Sequence, residues 1–319
     1  MVDPAARRSR RPAPRAGTVL AAILAVVAIA VGLGSCGGDD SSSGSPEGDC
    51  PVAPVSVVAT IGPWGSIAEE LAGDCAHVTT IVDGSRGDPH DVEPTPADRA
   101  AIEDADVVIT NGLGYDAWVD DALAAASSEP AVVVAGEVTG QETGANPHAW
   151  YDPTIVREAA VAITQALQEA SPTEAEEYYT SRFQTWEQSL APYDAAIERV
   201  RTGAAGRPYA ATEPVFDPMA AALGLLDVTP SGFSQSVSNG AEPSPGDVAA
   251  FDAVLSDGKA AVLIDNSQTD SAMARQLATR ATGSSVPVVE VTETAPASAT
   301  SFVAWQVAQL DALAAALGL

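Results

Sequence analysis

Residues 55–63 read Val-Ser-Val-Val-Ala-Thr-Ile-Gly-Pro, a short run of β-branched and small residues that ends at a Gly-Pro pair. Because the run is apolar without alternation, it is typical of a strand that is covered on both faces, as in a parallel sheet. Similar runs follow, separated by helical patterns. The predicted strands are 55–60, 78–82, 107–110 and 131–135, and the predicted helices are 64–73, 96–104 and 115–127. This alternation predicts an α/β fold with a mostly parallel sheet.

The second half of the chain repeats the alternation. Its predicted strands are 209–212, 261–264 and 286–291, and its predicted helices are 215–223, 246–257, 268–281 and 301–317. Between the halves, a helical pattern covers 154–170 and then continues to about residue 202, with Pro192 expected to kink it. We therefore predict two α/β domains, at 52–170 and 205–319, joined by one long bridging helix at 171–204. The cleft between two such domains is the expected place for a ligand.

The first 51 residues have the composition of an export signal followed by a tether. Five arginines among residues 1–15 precede a long apolar run, which is the order of regions in a secretory signal. Cys36 follows Leu-Gly-Ser and resembles the lipobox cysteine of bacterial lipoproteins. That resemblance implies a signal peptide at 1–35 and a lipid on Cys36, whereas the alternative is a membrane-spanning anchor. Residues 36–51 are then a flexible tether of Gly, Ser and acidic residues.

Charge and composition exclude two broad classes of protein. The 319 residues include 15 Lys and Arg against 43 Asp and Glu, a formal net charge of −28. Such a chain lacks the basic face that binding to nucleic acid requires. With 46% hydrophobic and 18% charged residues it is not a disordered acidic chain either. In an exported protein Cys50 and Cys75, which lie beside the starts of predicted strands, are expected to form a disulfide, the alternative being two buried thiols.

Three polar stretches lie beyond the carboxyl ends of predicted strands. They are DPHDVEPTPAD at 88–98, NGLGYDAW at 111–118 and NPHAWYDP at 146–153. His90 and His148 each follow a proline, so a stiff backbone aims each imidazole. Because ligands bind at this edge of open α/β sheets, both histidines are candidate metal ligands. His77 lies at a strand start without a neighbouring proline, and we interpret it as structural.

Carboxylates occupy the equivalent edge of the second half. Glu213, Asp265 and Glu293 each follow a predicted strand within two residues. Two imidazoles and two carboxylates would suit a divalent transition metal. From position alone none of these residues is assigned, because single loop histidines and acids are usually just solvated.

The three stretches resemble motifs of the solute-binding lipoproteins of zinc and manganese ABC importers, the cluster A-I family. The resemblance extends over residues 52–319 and implies four metal ligands, two from each domain. His90, His148 and Glu213 fall on the first three ligand positions, and Glu293 falls on the fourth, with Asp265 as the alternative. The sequence departs from the family in having Glu where the fourth ligand is usually Asp, and in lacking the His-rich loop of many zinc-specific members.

The resemblance implies a function in metal import. We expect a monomer, lipid-anchored at the outer face of the cytoplasmic membrane, that binds one Zn²⁺ or Mn²⁺ and delivers it to a membrane permease with a cytoplasmic ATPase. Four protein ligands leave no open position for catalysis, so no enzyme activity is expected. The alternatives are an exported metal-dependent hydrolase with Asp91 or Glu93 as general base, a surface adhesin on the same scaffold, and a binder of an organic solute.

Overall fold

A computed structural model describes residues 48–84, 93–269 and 271–319. The described residues all belong to one compact unit. The predicted signal peptide, Cys36 and most of the predicted tether lie outside the described residues, as do His90 and Asp91. The domain boundaries at 170 and 205 stay a prediction. We call residues 48–170 the N-terminal lobe and residues 205–319 the C-terminal lobe.

The N-terminal lobe is built on a four-stranded parallel sheet. Its strands are β1 (Val55–Ile61), β2 (Ala76–Val82), β3 (Val107–Thr110) and β4 (Ala131–Val134), in the order β2-β1-β3-β4. All three pairings are parallel. Central strand β3 is buried at every residue, which explains why its sequence is apolar without alternation. The α/β class and the parallel sheet predicted from sequence are confirmed.

The C-terminal lobe repeats this arrangement. Its strands are β5 (Pro208–Ala211), β6 (Leu226–Asp227), β7 (Val262–Asn266) and β8 (Val288–Val291), in the order β6-β5-β7-β8, again all parallel. In each sheet the second strand along the chain lies on one side of the first strand, and the third lies on the other side. This reversal of strand order predicts a ligand crevice beyond the carboxyl ends of the first and third strands. Strand β6 was not predicted, because it is two exposed residues long.

Eleven helices are assigned within the described residues. They are α1 (Gly62–Ala72), α2 (Pro96–Glu103), α3 (Trp118–Ala125), α4 (Pro153–Ala170), α5 (Glu176–Ser189), α6 (Ala191–Ala204), α7 (Asp217–Ala222), α8 (Ser231–Ser238), α9 (Pro245–Ser256), α10 (Ala272–Gly283) and α11 (Phe302–Leu317). Their starts follow capping rules: Thr95 and Asp98 form a capping box on α2, and the Asp152 side chain caps α4. Helix α8 was missed from the sequence.

The segment that joins the lobes is two successive helices rather than one. A 3₁₀ turn at Thr173–Ala175 leads into α5, and Leu190 separates α5 from α6. Pro192 occupies the first turn of α6, where its missing N–H costs no helical hydrogen bond. The break therefore lies where a proline was expected to disturb the helix.

One hydrophobic core runs through both lobes. It includes Trp64 and Trp150 of the N-terminal lobe together with Phe216 and Phe302 of the C-terminal lobe. Tyr151 contacts both lobes. Its ring centroid lies 5.4 Å from that of Phe216, and its hydroxyl shares its one hydrogen between the backbone oxygen of Thr292 and Gln309 Oε1, both at 2.8 Å. A smaller core of Phe233, Phe251, Leu255 and their neighbours packs separately in the C-terminal lobe.

A disulfide joins Cys50 to Cys75, with the two Cα atoms 5.0 Å apart. It ties the residues ahead of β1 to the 3₁₀ turn that precedes β2. Both cysteines are buried within the main core. Cross-linking two points 25 residues apart restricts the unfolded chain and thereby stabilises the fold.

Two buried tyrosines allow the inter-lobe hydrogen bonds to be tested. We expect Tyr151→Phe to lower the free energy of unfolding by about 1–2 kcal/mol, because it removes the hydroxyl hydrogen that two buried acceptors share. Tyr193 is the matched control: its hydroxyl is equally buried, yet it has no hydrogen-bond partner anywhere in residues 48–84, 93–269 and 271–319. Tyr193→Phe should be neutral or stabilising. Urea unfolding of both variants checks this, and equal losses in the two would contradict it.

Candidate metal centre

A histidine from one lobe meets a glutamate from the other beyond the carboxyl ends of the strands. His148 lies in the connection after β4, and Glu293 follows β8. His148 Nε2 lies 3.5 Å from Glu293 Oε2, and the two residues are only 3% and 1% exposed. A buried carboxylate needs hydrogen bonds or a cation to offset the loss of water. This pair is therefore the centre of the candidate site.

Asn146 orients the ring of His148. Its Oδ1 lies 2.9 Å from both the backbone nitrogen and the Nδ1 of His148, while its Nδ2 donates to the backbone oxygen of Pro214 at 2.7 Å. Because the amide donates on one side, Oδ1 is the acceptor and Nδ1 of the ring is a donor. The other ring nitrogen, Nε2, then faces Glu293. In metal-binding histidines, the ring nitrogen that does not bind the metal usually donates a hydrogen bond to a nearby oxygen, as His148 Nδ1 does to Asn146.

Glu293 is held from both lobes. The Tyr115 hydroxyl donates to Oε2 at 2.9 Å, and Asn266 Nδ2 donates to Oε1 at 2.9 Å. The backbone N–H groups of Glu293 and Thr294 both donate to Gln268 Oε1. Hydrogen bonds thus hold both carboxylate oxygens and the backbone of Glu293 in place.

Glu213 reaches the same place through Asn266. Strand β5 ends two residues before Glu213, and Asn266 Nδ2 donates to Glu213 Oε2 at 2.7 Å. A single amide nitrogen therefore contacts both glutamates. Asn266 was not predicted, because its side chain is neither an imidazole nor a carboxylate, the groups that mark candidate metal ligands in a sequence. Asn266 ends strand β7, which pairs with β5 where the strand order reverses. That position could have marked it as a candidate site residue.

Asp265, the alternative fourth ligand, does not join this group. Successive residues of a strand point to opposite faces, so Asp265 and Asn266 diverge. Its Oδ1 accepts a hydrogen bond from the Thr212 hydroxyl at 2.9 Å. Burial raises the pKa of Asp265, and the Thr212 hydrogen bond opposes that shift only in part. The structure brings Glu293, rather than Asp265, to His148.

The Asn-Gly-Leu-Gly stretch supports the N-terminal side of the site. Gly112, Leu113 and Gly114 have φ values of 73°, 58° and 84°, a left-handed run that glycine tolerates and leucine rarely adopts. Asn111 precedes the run. Its side chain accepts from Trp64 Nε1 and donates to the backbone oxygen of Pro147, both at 2.9 Å. The residue before His148 is thereby tied to the end of β3.

Asp116 holds the same loop closed. Its buried carboxylate accepts hydrogen bonds from the Thr60 hydroxyl at 2.5 Å and from the backbone N–H groups of Asn111 and Gly112 at 2.7 and 2.9 Å. These bonds fix the residue next to Tyr115, whose hydroxyl contacts Glu293. Asp116 thus orders the loop rather than contributing a ligand.

The remaining sequence candidates lie apart from this pair or outside the described residues. His90, the second predicted imidazole, is among the residues that the structure does not describe, as is Asp91. Glu93, the other candidate base, is exposed. His77 is exposed on strand β2, which lies at the edge of its sheet.

The donor set fits a divalent metal. Ligand bonds of about 2.0–2.2 Å at a tetrahedral angle separate a nitrogen from an oxygen by about 3.4 Å, close to the 3.5 Å between His148 Nε2 and Glu293 Oε2. Within the described part of the chain, no three histidine, cysteine or acidic side chains stand close enough to hold an ion by themselves. Among the described residues, the predicted ligands that contact each other across the lobes are His148 and Glu293, and Asn266 links Glu293 to Glu213.

Comparison with known proteins relates the chain to metal-binding proteins. The chain is 32% identical to the manganese-binding lipoprotein MntA of Halalkalibacterium halodurans over 49% of this chain and 50% of that protein. It is 25% identical to the high-affinity zinc uptake system protein ZnuA of Bacillus subtilis, over 62% of this chain and 66% of that protein. The matched chain thus spans one half to two thirds of the length of these curated relatives.

Solved structures share the fold. The periplasmic zinc binding protein TroA from Treponema pallidum superposes with a TM-score of 0.71 and 20% identity, covering 83% of this chain and 99% of that one. At this identity the match shows the two-lobed α/β fold alone. The family model described as zinc-uptake complex component A periplasmic matches residues 57–316, most of the chain. The chain therefore belongs to the family of periplasmic component A proteins of zinc-uptake complexes.

Proposed function

We propose that this protein is an extracytoplasmic solute-binding protein that captures a divalent transition metal, Zn²⁺ or Mn²⁺, and delivers it to an ABC importer. The observation that carries the proposal is the buried contact between His148 Nε2 and Glu293 Oε2 across the two lobes. A neutral imidazole and a carboxylate held 3.5 Å apart, away from water, are suited to share one cation. Membership of the family supports the same function.

The proposed ligands are His90, His148, Glu213 and Glu293. Four protein ligands complete a tetrahedral site, whereas a catalytic zinc keeps one position for water or substrate. The site then binds and releases metal without turnover, so we propose no enzyme activity. The core that runs through both lobes and the Tyr151–Thr292 hydrogen bond oppose wide opening. Release would instead need local movement of the Glu213 and Glu293 loops.

The proposed partners follow from import. A membrane permease with a cytoplasmic ATPase would receive the metal, and a lipid on Cys36 would hold the protein, as a monomer, at the outer face of the cytoplasmic membrane. Among the helices that the structure describes, none has the length and hydropathy needed to cross a membrane. The Gly, Ser and acidic composition of residues 37–49 suits a tether between a lipid and the lobes.

Removing a proposed ligand should abolish tight binding. We expect wild-type protein, purified without a metal column, to bind one Zn²⁺ or Mn²⁺ per chain. His148→Ala, Glu213→Gln and Glu293→Gln should each weaken binding by more than about 100-fold, because loss of an outer contact alone costs about 10–100-fold. Elemental analysis gives the stoichiometry, and competition with a chromophoric chelator gives the affinity.

Asp265→Asn is the matched control for these variants. It removes a carboxylate from the adjacent strand position, one that bonds to Thr212. Its metal affinity should equal that of wild type. Tight binding by His148→Ala, or a loss in Asp265→Asn as large as in Glu293→Gln, would contradict the proposed ligand set.

Metal affinity should fall as the pH is lowered. A protonated imidazole has no lone pair for a metal, so protons compete with the ion for the two histidines. Affinity should therefore decrease steadily from about pH 7 to about pH 5, and metal binding should release protons over that range. Calorimetric titration in buffers of different ionisation enthalpy measures both effects. An affinity independent of pH would contradict a site with two imidazoles.

Cys36 can be tested separately from the metal. Cys36→Ser removes the only thiol at the predicted lipidation position, so the variant should leave the membrane fraction when expressed with its leader in a bacterial host. Its zinc and manganese affinities should not change. Fractionation followed by mass spectrometry of the N-terminal peptide checks this, and wild-type protein without a lipid on that peptide would contradict the proposal.

A further inference from the structure

Asn266 lies between the two proposed carboxylate ligands. Its Nδ2 donates to Glu213 Oε2 at 2.7 Å and to Glu293 Oε1 at 2.9 Å. The residue is 3% exposed. An amide nitrogen carries two hydrogens, one for each carboxylate. Asn266 thus links glutamates from two different loops through one uncharged group.

The orientation of the amide is fixed by its other contacts. Asn266 Oδ1 accepts from the backbone N–H of Gln268 at 3.1 Å, and Nδ2 also lies 3.1 Å from the Thr269 hydroxyl oxygen. A flipped amide would turn its oxygen towards both carboxylates and its nitrogen towards a backbone donor. The amide therefore presents hydrogens, and not lone pairs, to Glu213 and Glu293.

These hydrogen bonds give the two oxygens of Glu293 different surroundings. Oε1 is bonded to Asn266, whereas Oε2 lies beside His148 Nε2 and accepts from Tyr115. Chelation by both oxygens would bring the metal into competition with the amide hydrogen at Oε1. In Glu213 the amide hydrogen is likewise on one oxygen, Oε2. The amide therefore favours coordination by one oxygen from each glutamate.

We propose that Asn266 is a specificity-determining positioning residue that favours zinc over manganese. This inference rests on the proposed function. A carboxylate that gives one oxygen instead of two lowers the coordination number, towards the four-coordinate geometry usual for Zn²⁺, whereas Mn²⁺ prefers six oxygen-rich positions. The 3.5 Å separation of His148 Nε2 and Glu293 Oε2 agrees with tetrahedral ligation. Relatives named for manganese and for zinc both match this chain, so family membership leaves the choice of metal open.

The test compares two variants that lack the amide with one that keeps it. Asn266→Ala removes both hydrogen bonds, and Asn266→Leu removes them while filling a similar volume. Thr269→Val is the matched control, because it removes a third neighbour of the same nitrogen without touching either glutamate bond. Thermal unfolding of the metal-free proteins shows that each variant is folded. Dissociation constants for Zn²⁺ and Mn²⁺ are then measured by chelator competition.

The expected result is a change in selectivity. In Asn266→Ala and Asn266→Leu the ratio of the manganese to the zinc dissociation constant should fall about tenfold, the scale of an outer-shell contact. X-ray absorption should show more oxygen neighbours around bound Mn²⁺ than in wild type. Thr269→Val should keep the wild-type ratio and coordination number.

Two other results separate this inference from the proposed function. Folded Asn266 variants with an unchanged ratio, or with equal losses for both metals and an unchanged coordination number, would overturn the role of Asn266 alone. Wild-type protein that binds neither Zn²⁺ nor Mn²⁺ would overturn the proposed function and this inference with it.

Discussion

The arrangement at the site depends on the burial of one carboxylate. Glu293 is 1% exposed, and a charge without water must be met by hydrogen bonds or a cation. Tyr115 and His148 contact it from the N-terminal lobe, and Asn266 contacts it from the C-terminal lobe. Displacing either lobe would leave a buried charge partly unmet, so the electrostatic need of this side chain helps to fix how the two sheets face each other.

Both sheets have the same strand order, and this brings polar groups of the two lobes close together. In each sheet the order reverses beside a central strand, and the loops beyond the carboxyl ends carry the polar groups. Tyr151 and the continuous core then hold the lobes together beneath the site. This rigidity keeps atoms from the two lobes a few ångströms apart at the candidate site.

Much of the fold could be predicted because buried parallel strands have a clear sequence signature. Strand β3 was placed at its observed residues, 107–110, since a run buried on both faces is apolar and bounded by turns. Strand β6 and helix α8 were missed for the opposite reason: β6 is two exposed residues long and α8 buries only Phe233. The joining helix divides at Leu190, where local backbone geometry beside Pro192 outweighs helical propensity.

The sequence by itself determined the class of the fold, and it placed His148, Glu213, Asp265 and Glu293 after the carboxyl ends of predicted strands. These follow from local patterns, since a residue's place after a strand sets the edge it occupies. Only the tertiary structure decided that Glu293, and not Asp265, meets His148, and that Asn266 lies between the glutamates. The face of the sheet on which a strand residue lies depends on packing between distant segments. A shift of one residue in strand register would move each side chain to the opposite face.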